Sequence, residues 1–206
     1  MKDKLAQFSE AEIRSRLKEQ NYNNLYAISG EYSLPSNAKL LTPAAVLVPM
    51  LSESDGWHLL FTRRNSDLPE HSGQVSFPGG RMDQHDKNAT DTALREASEE
   101  IGLNPMDVTV LGSLPPLRTI TNYIVTPIVG TVPTPYQFII APDEVSRVFT
   151  IPVRWLANRQ NYNIHYRNLP GHQEPLSIIY FNEYDGELLW GASARIVVSF
   201  IKYLTE

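Results

Sequence analysis

The chain has 206 residues, a formal net charge of −5 and no cysteine. Its length fits one globular domain with short terminal additions, and a 42% hydrophobic content excludes disorder by composition. Without thiols there is no disulfide scaffold, Cys-ligated zinc, iron–sulfur cluster or cysteine nucleophile. The acidic balance argues against non-specific nucleic-acid binding.

From the N-terminus, residues 5–20 read as an amphipathic helix. Ser9 and Glu12 form its capping box, and Ile13 and Leu17 recur at helical spacing. Residues 1–38 are taken as an N-terminal appendage and 39–206 as the main domain. The apolar run 44–51 has buried-strand length. Asp55-Gly56 signals a tight turn, and 57–62 supplies the second arm of a hairpin. Residues 64–74 read as a loop and 75–77 as a short strand broken by Pro78-Gly79-Gly80, with another loop over 81–87. Asn88 caps a helix that runs to Ile101 and ends at Gly102. Strands are expected over 108–111, 124–132 and 138–140, with a helical turn over 143–148. A hairpin follows from 164–166 and 177–181, then a closing helix over 192–203 with Ala194, Val197, Val198 and Ile201 on one face. Strands, helix, strands, helix is the order of an α+β chain with a mixed sheet and helices packed against it.

The helix after Asn88 carries the chemistry. At about 100° per residue, Leu94, Ala97 and Ile101 share one face, and Glu96, Glu99 and Glu100 crowd the opposite one. Like charges at i, i+3 and i, i+4 repel by about 0.2–0.5 kcal/mol per exposed pair. A solvated face is the plain explanation. A hard divalent cation also explains the glycine pair before the helix and Arg95, which reaches Glu99 at i, i+4 and fixes its rotamer.

Gly80, Arg95, Glu96, Glu99, Glu100, Gly102 and Leu103 match the Nudix box, with Ala97 at its aliphatic position. Asp86 stands at the upstream acidic position, and the spacer after it is one residue longer than usual. The stretches 59–64 and 73–80 are similar to the extra motif of the coenzyme A diphosphatase branch, which shares that spacer and that Asp. Residues 116–120, 125–130, 143–145 and 189–191 resemble the same branch. Pro69 replaces a basic residue that the branch carries there, which predicts weaker discrimination for coenzyme A over dephospho-coenzyme A than in relatives that keep the basic residue.

The resemblance implies a Nudix fold, an α/β/α sandwich with a mixed sheet between helices. It implies a Mg²⁺- or Mn²⁺-dependent hydrolase that cleaves the diphosphate of a nucleoside-diphosphate derivative. Coenzyme A or an acyl-coenzyme A is the expected substrate, giving 3′,5′-ADP and phosphopantetheine. ADP-ribose, a dinucleoside polyphosphate, or a non-catalytic ligand-binding module are the alternatives. Glu96 and Glu100 are the implied principal metal ligands, with Glu99 and the Gly80 carbonyl completing the set. Glu96, Glu99 and Arg95 are the implied catalytic group, and the identity of the base stays open.

Arg64, Gln74 and Arg118 are the candidate substrate contacts, whereas Arg63 and Arg81 read as surface arginines. Glu144 reads equally as a late-sequence base, a metal ligand or a helix-start carboxylate. The five histidines show no metal-type spacing, His71 being the nearest to a motif. Trp190, Tyr180, Phe181 and Tyr184 read as core. The expected partner is a small-molecule nucleotide, with no nucleic acid and no membrane, and a homodimer is compatible. The chain lacks a membrane-length apolar run and an apolar leader core, so a cytoplasmic location is expected.

Overall fold

The computed structural model describes residues 8–19, 41–66, 73–168 and 175–205. Pro69, His71 and His172 lie outside the described residues. The first described helix, α1 (Glu10–Glu19), opens on the expected box: Glu12 Oε2 accepts from the Ser9 amide at 2.8 Å and from its hydroxyl at 2.7 Å. Ile13 and Leu17 are buried in the main core, so the helix read as an appendage is packed into the domain.

A long strand, β1 (Thr42–Glu53), turns at Asp55-Gly56 into β2 (Gly56–Arg64), the antiparallel hairpin expected. β3 (Val75–Ser76) pairs with β2. Gly79-Gly80 does more than break it. Gly79–Arg81 forms a strand of its own, β4, antiparallel to the first half of β1. The helix α2 (Ala89–Ile101) follows, then β5 (Thr109–Ser113), β6 (Leu117–Arg118) and β7 (Tyr123–Val132). β7 runs parallel to β1 and antiparallel to β5 and β6, which makes the sheet mixed.

Residues 138–140 are not a strand, and the segment read as a helical turn over 143–148 is largely β8 (Val145–Pro152). Seven of its residues register against β2, so long-range pairing overrides the local acidic helix-start signal. A short α3 (Val153–Leu156) leads to the expected hairpin, β9 (Tyr162–Arg167) with β10 (Leu176–Phe181). The closing helix is α4 (Gly191–Thr205). Its buried face holds Ala194, Ile196, Val197, Phe200, Tyr203 and Leu204, with Val198 and Ile201 only partly buried.

β1 alternates between two cores. Val48 and Met50 join the side covered by α1, β10 and α4. Ala45, Leu47 and Leu51 join the side covered by α2 through Ala93, Ala97 and Ile101. The chain is therefore an α+β sandwich with a mixed sheet between helices.

Candidate active site

Both ends of α2 are fixed. Asn88 Oδ1 accepts from the amides of Thr90 (2.9 Å) and Asp91 (3.0 Å), and Gly102 closes the helix at φ 65°. Cβ-bearing residues rarely adopt that left-handed conformation. The helix crosses β4, and this contact changes the reading of its faces. Glu100 is only 3% exposed and is buried with Ala97 and Ile101, while Leu94 is only partly buried.

Glu100 Oε2 accepts the Gly79 amide at 3.3 Å, and Arg64 Nη1 stands 3.7 Å from Oε1. Gly80 lies so close to Glu96 that an added Cβ would sit 2.5 Å from the carboxyl carbon. Glycine there lets the strand backbone pass beside the carboxylate.

Arg95 organises the rest. Its guanidinium donates to Asp86 at two points, to Glu96 Oε1 (2.9 Å), to Glu99 Oε2 (2.9 Å) and to the Arg81 carbonyl (3.0 Å). The Glu99 contact expected from the i, i+4 spacing is present. The Asp86 contact, which ties the loop before α2 to the helix, was not legible in the sequence.

Burial, the largest influence, pushes Glu100 up to about 8; Glu96 and Glu144 add repulsion, while Arg64 and the Gly79 amide oppose it. Glu96 is also raised, by burial first, against the pull of Arg95. Asp86 is held well below the usual carboxylate range, chiefly by hydrogen bonds from Arg95. A buried and a partly buried carboxylate side by side are an unfavourable arrangement that a cation relieves.

Among the described residues no three carboxylates or imidazoles already converge on one point. The donor chemistry nonetheless fits a hard divalent cation: Glu96 and Glu100 with the Gly80 carbonyl could hold it. Glu99, 54% exposed and bound to Arg95, stands further out. Glu144 is exposed, and its charge acts on both Glu96 and Glu100.

Gly79 and Arg64 also border a cavity of about 330 Å³ on the other side of the sheet from α2. Gln74 and Arg118 line it too, so the three candidate substrate contacts share one space. Arg64 Nε and Arg118 Nη1 are buried there without a hydrogen-bond partner among the described residues. Its lining also takes in Ser177 of β10, Trp190 just before α4, and Arg195 of α4. Sequence reasoning missed Arg195 and placed Trp190 in the core. Trp190 lines the cavity, braced by a parallel Tyr180 ring at 5.4 Å.

Arg63 and Arg81 are engaged elsewhere, with Glu187 and Tyr123 respectively. His58 pairs with Asp55, His85 lies beside Gln84, and His165 meets the Tyr180 edge.

The model of the NUDIX domain matches residues 41–171. Proteins called uncharacterized Nudix hydrolase NudL, from Yersinia pestis (strain Pestoides F) and Yersinia pseudotuberculosis (serotype O:1b, strain IP 31758), are each 39% identical over 155 residues. The match covers 75% of this chain and 75% of each relative. Among solved structures, a Nudix hydrolase from M. Smegmatis, RenU, is similar in fold, with a TM-score of 0.50 at 19% identity over 61% of this chain and 81% of that one.

Proposed function

The chain belongs to the Nudix hydrolase family, and we propose that it is a divalent-metal-dependent diphosphatase whose substrate is coenzyme A or an acyl-coenzyme A. The observation that carries this reading is the continuity of two features. The Glu96–Glu100 pair beside Gly79-Gly80, with Glu100 buried, opens through Gly79 and Arg64 onto the cavity that Gln74 and Arg118 line. The motif similarity over 59–64, 73–80 and 116–130 supports the choice of substrate.

Glu96 and Glu100, with the Gly80 carbonyl and Glu99, would hold Mg²⁺ or Mn²⁺. When bound, such a cation neutralises phosphate charge and lowers the pKa of water. In this reading Arg64 and Gln74 bind the diphosphate from the cavity side. Arg95 restrains Glu96 and Glu99 so that neither swings away from the reacting phosphorus. Glu99, the exposed carboxylate of the three, accepts the proton of the attacking water. Residues 39–206 would be the catalytic domain, and a cytoplasmic setting suits a soluble nucleotide substrate. No helix among the described residues is long and apolar enough to cross a membrane.

The test is a hydrolysis screen with Mg²⁺ and with Mn²⁺ over coenzyme A, acetyl-coenzyme A, ADP-ribose and dinucleoside polyphosphates, with products identified. Release of 3′,5′-ADP and phosphopantetheine at the highest kcat/KM supports the reading. A clear preference for ADP-ribose or a dinucleoside polyphosphate replaces the substrate, and no turnover of any diphosphate removes the catalytic reading.

A further inference from the structure

The cavity beyond Gly79 has a charge pattern that the diphosphate chemistry does not use up. Three guanidinium groups line it, those of Arg64, Arg118 and Arg195, and no carboxylate does among the described residues. Arg64 sits at the end next to Glu100.

Arg118 sits elsewhere. Arg81 pairs with Ala44, Ala44 with Val125, and Val125 with Leu117, the neighbour of Arg118. Three strand spacings, about 14 Å, therefore separate the Gly80–Arg81 strand from the Arg118 strand. Measured between backbones, the Arg118 strand is thus well removed from the strand beside Glu96. Yet Arg118 keeps Nη1 buried with no partner among the described residues. A buried cationic donor without an acceptor is costly, so its natural partner is an anion that arrives with the ligand.

In the same lining, Arg195 is fixed by the Ser177 carbonyl (2.6 Å) and hydroxyl (2.9 Å). This part of the lining lies beyond residue 171, past the matched family domain. Position 69, where the related branch has a basic residue, holds proline and supplies no charge.

We propose that Arg118, with Arg195 in the lining of the same cavity, is the specificity determinant for a second phosphate of the substrate, remote from the diphosphate that is cleaved. The proposal rests on the diphosphatase reading for the identity of the ligand, and its test does not depend on turnover.

Calorimetric titration in EDTA compares adenosine 3′,5′-bisphosphate with adenosine 5′-monophosphate. The wild-type protein should bind the bisphosphate about tenfold more tightly, and in Arg118→Met and Arg118→Gln that ratio should fall to near one. Thermal melting is the companion readout. Removing an unpartnered buried charge should leave the ligand-free Arg118→Met protein melting at or above the wild-type temperature, whereas a merely structural arginine would lower it. Equal binding of the two nucleotides by the wild type, or a ratio retained in both folded variants, overturns the proposal. Hydrolysis separates the two readings. If bisphosphate preference persists while coenzyme A is not cleaved, the substrate assignment falls and the role of Arg118 stands. If coenzyme A is cleaved without any preference, the reverse holds.

Discussion

Arg95 grips Asp86 at two points, Nε to Oδ1 at 3.1 Å and Nη2 to Oδ2 at 2.9 Å, across nine positions of chain. The carboxylate is only 5% exposed, so the pair clamps the loop before α2 onto the helix that carries Glu96, Glu99 and Glu100. Because Arg95 lowers the Asp86 pKa from its ordinary 3.8, the clamp stabilises the fold above that value and is lost as pH falls below it. Asp86→Asn should therefore destabilise the protein by about 1–3 kcal/mol at pH 7. The gap to wild type should narrow in melts taken below about pH 4.

Arg95→Lys keeps the charge and loses the planar fork that serves Asp86, Glu96 and Glu99 together. It should cut kcat by at least about tenfold, roughly 1.4 kcal/mol of barrier. Wild-type kcat in this variant would reduce Arg95 to an ordinary surface ion pair.

Glu96→Gln and Glu100→Gln each remove an anionic donor at constant size. Turnover should drop by orders of magnitude in both, at saturating Mg²⁺ and at saturating Mn²⁺. Their stabilities should move the other way. Glu100 holds its proton up to about pH 8 in the folded protein and to about 4.5 when unfolded. Its contribution is fully present below 4.5 and is lost as pH rises towards 8. Metal-free Glu100→Gln should therefore melt above the wild type at pH 8, with the difference shrinking towards pH 5.

The two glycines of β4 should fail differently. At Gly79 a Cβ would press on the backbone of β1, 2.6 Å from the Val46 Cα, so Gly79→Ala should disrupt folding. At Gly80 the obstacle is the Glu96 carboxylate, the end of a flexible side chain. Gly80→Ala should fold, as circular dichroism would show, and lose most of its turnover. A Gly80→Ala enzyme with normal kcat would dissociate Gly80 from the catalytic centre.

Local signals were legible where a few neighbouring residues decide the outcome. The Ser9–Glu12 box, the Asn88 cap, the Gly102 stop and the Asp55-Gly56 hairpin all appear where the sequence reading has them. β8 was not legible, because Asp143-Glu144 looks like a helix start and only its partner β2, some eighty positions earlier, makes it a strand. The burial of Glu100 was hidden for a related reason. Helix geometry alone puts it opposite Ala97, and the short strand Gly79–Arg81, read as a break, is what covers it. Candidates spaced along one helix could be read together. Arg195, more than seventy positions from Arg118, could not be brought to the same cavity by any local pattern.

The parallel pairing of β1 with β7 also sets the order in which the molecule is assembled. The β1–β2 hairpin closes over a few residues, whereas β1 meets β7 only after some eighty intervening positions are gathered in. Contacts of such high sequence separation form slowly, since the entropy of the enclosed chain is lost before the pairing compensates. The strand bearing Arg118 hangs on β7, and the cavity wall behind it comes later still in the chain. On refolding from denaturant, early hairpin and helix signals should therefore precede the recovery of nucleotide binding, which should follow the slow phase.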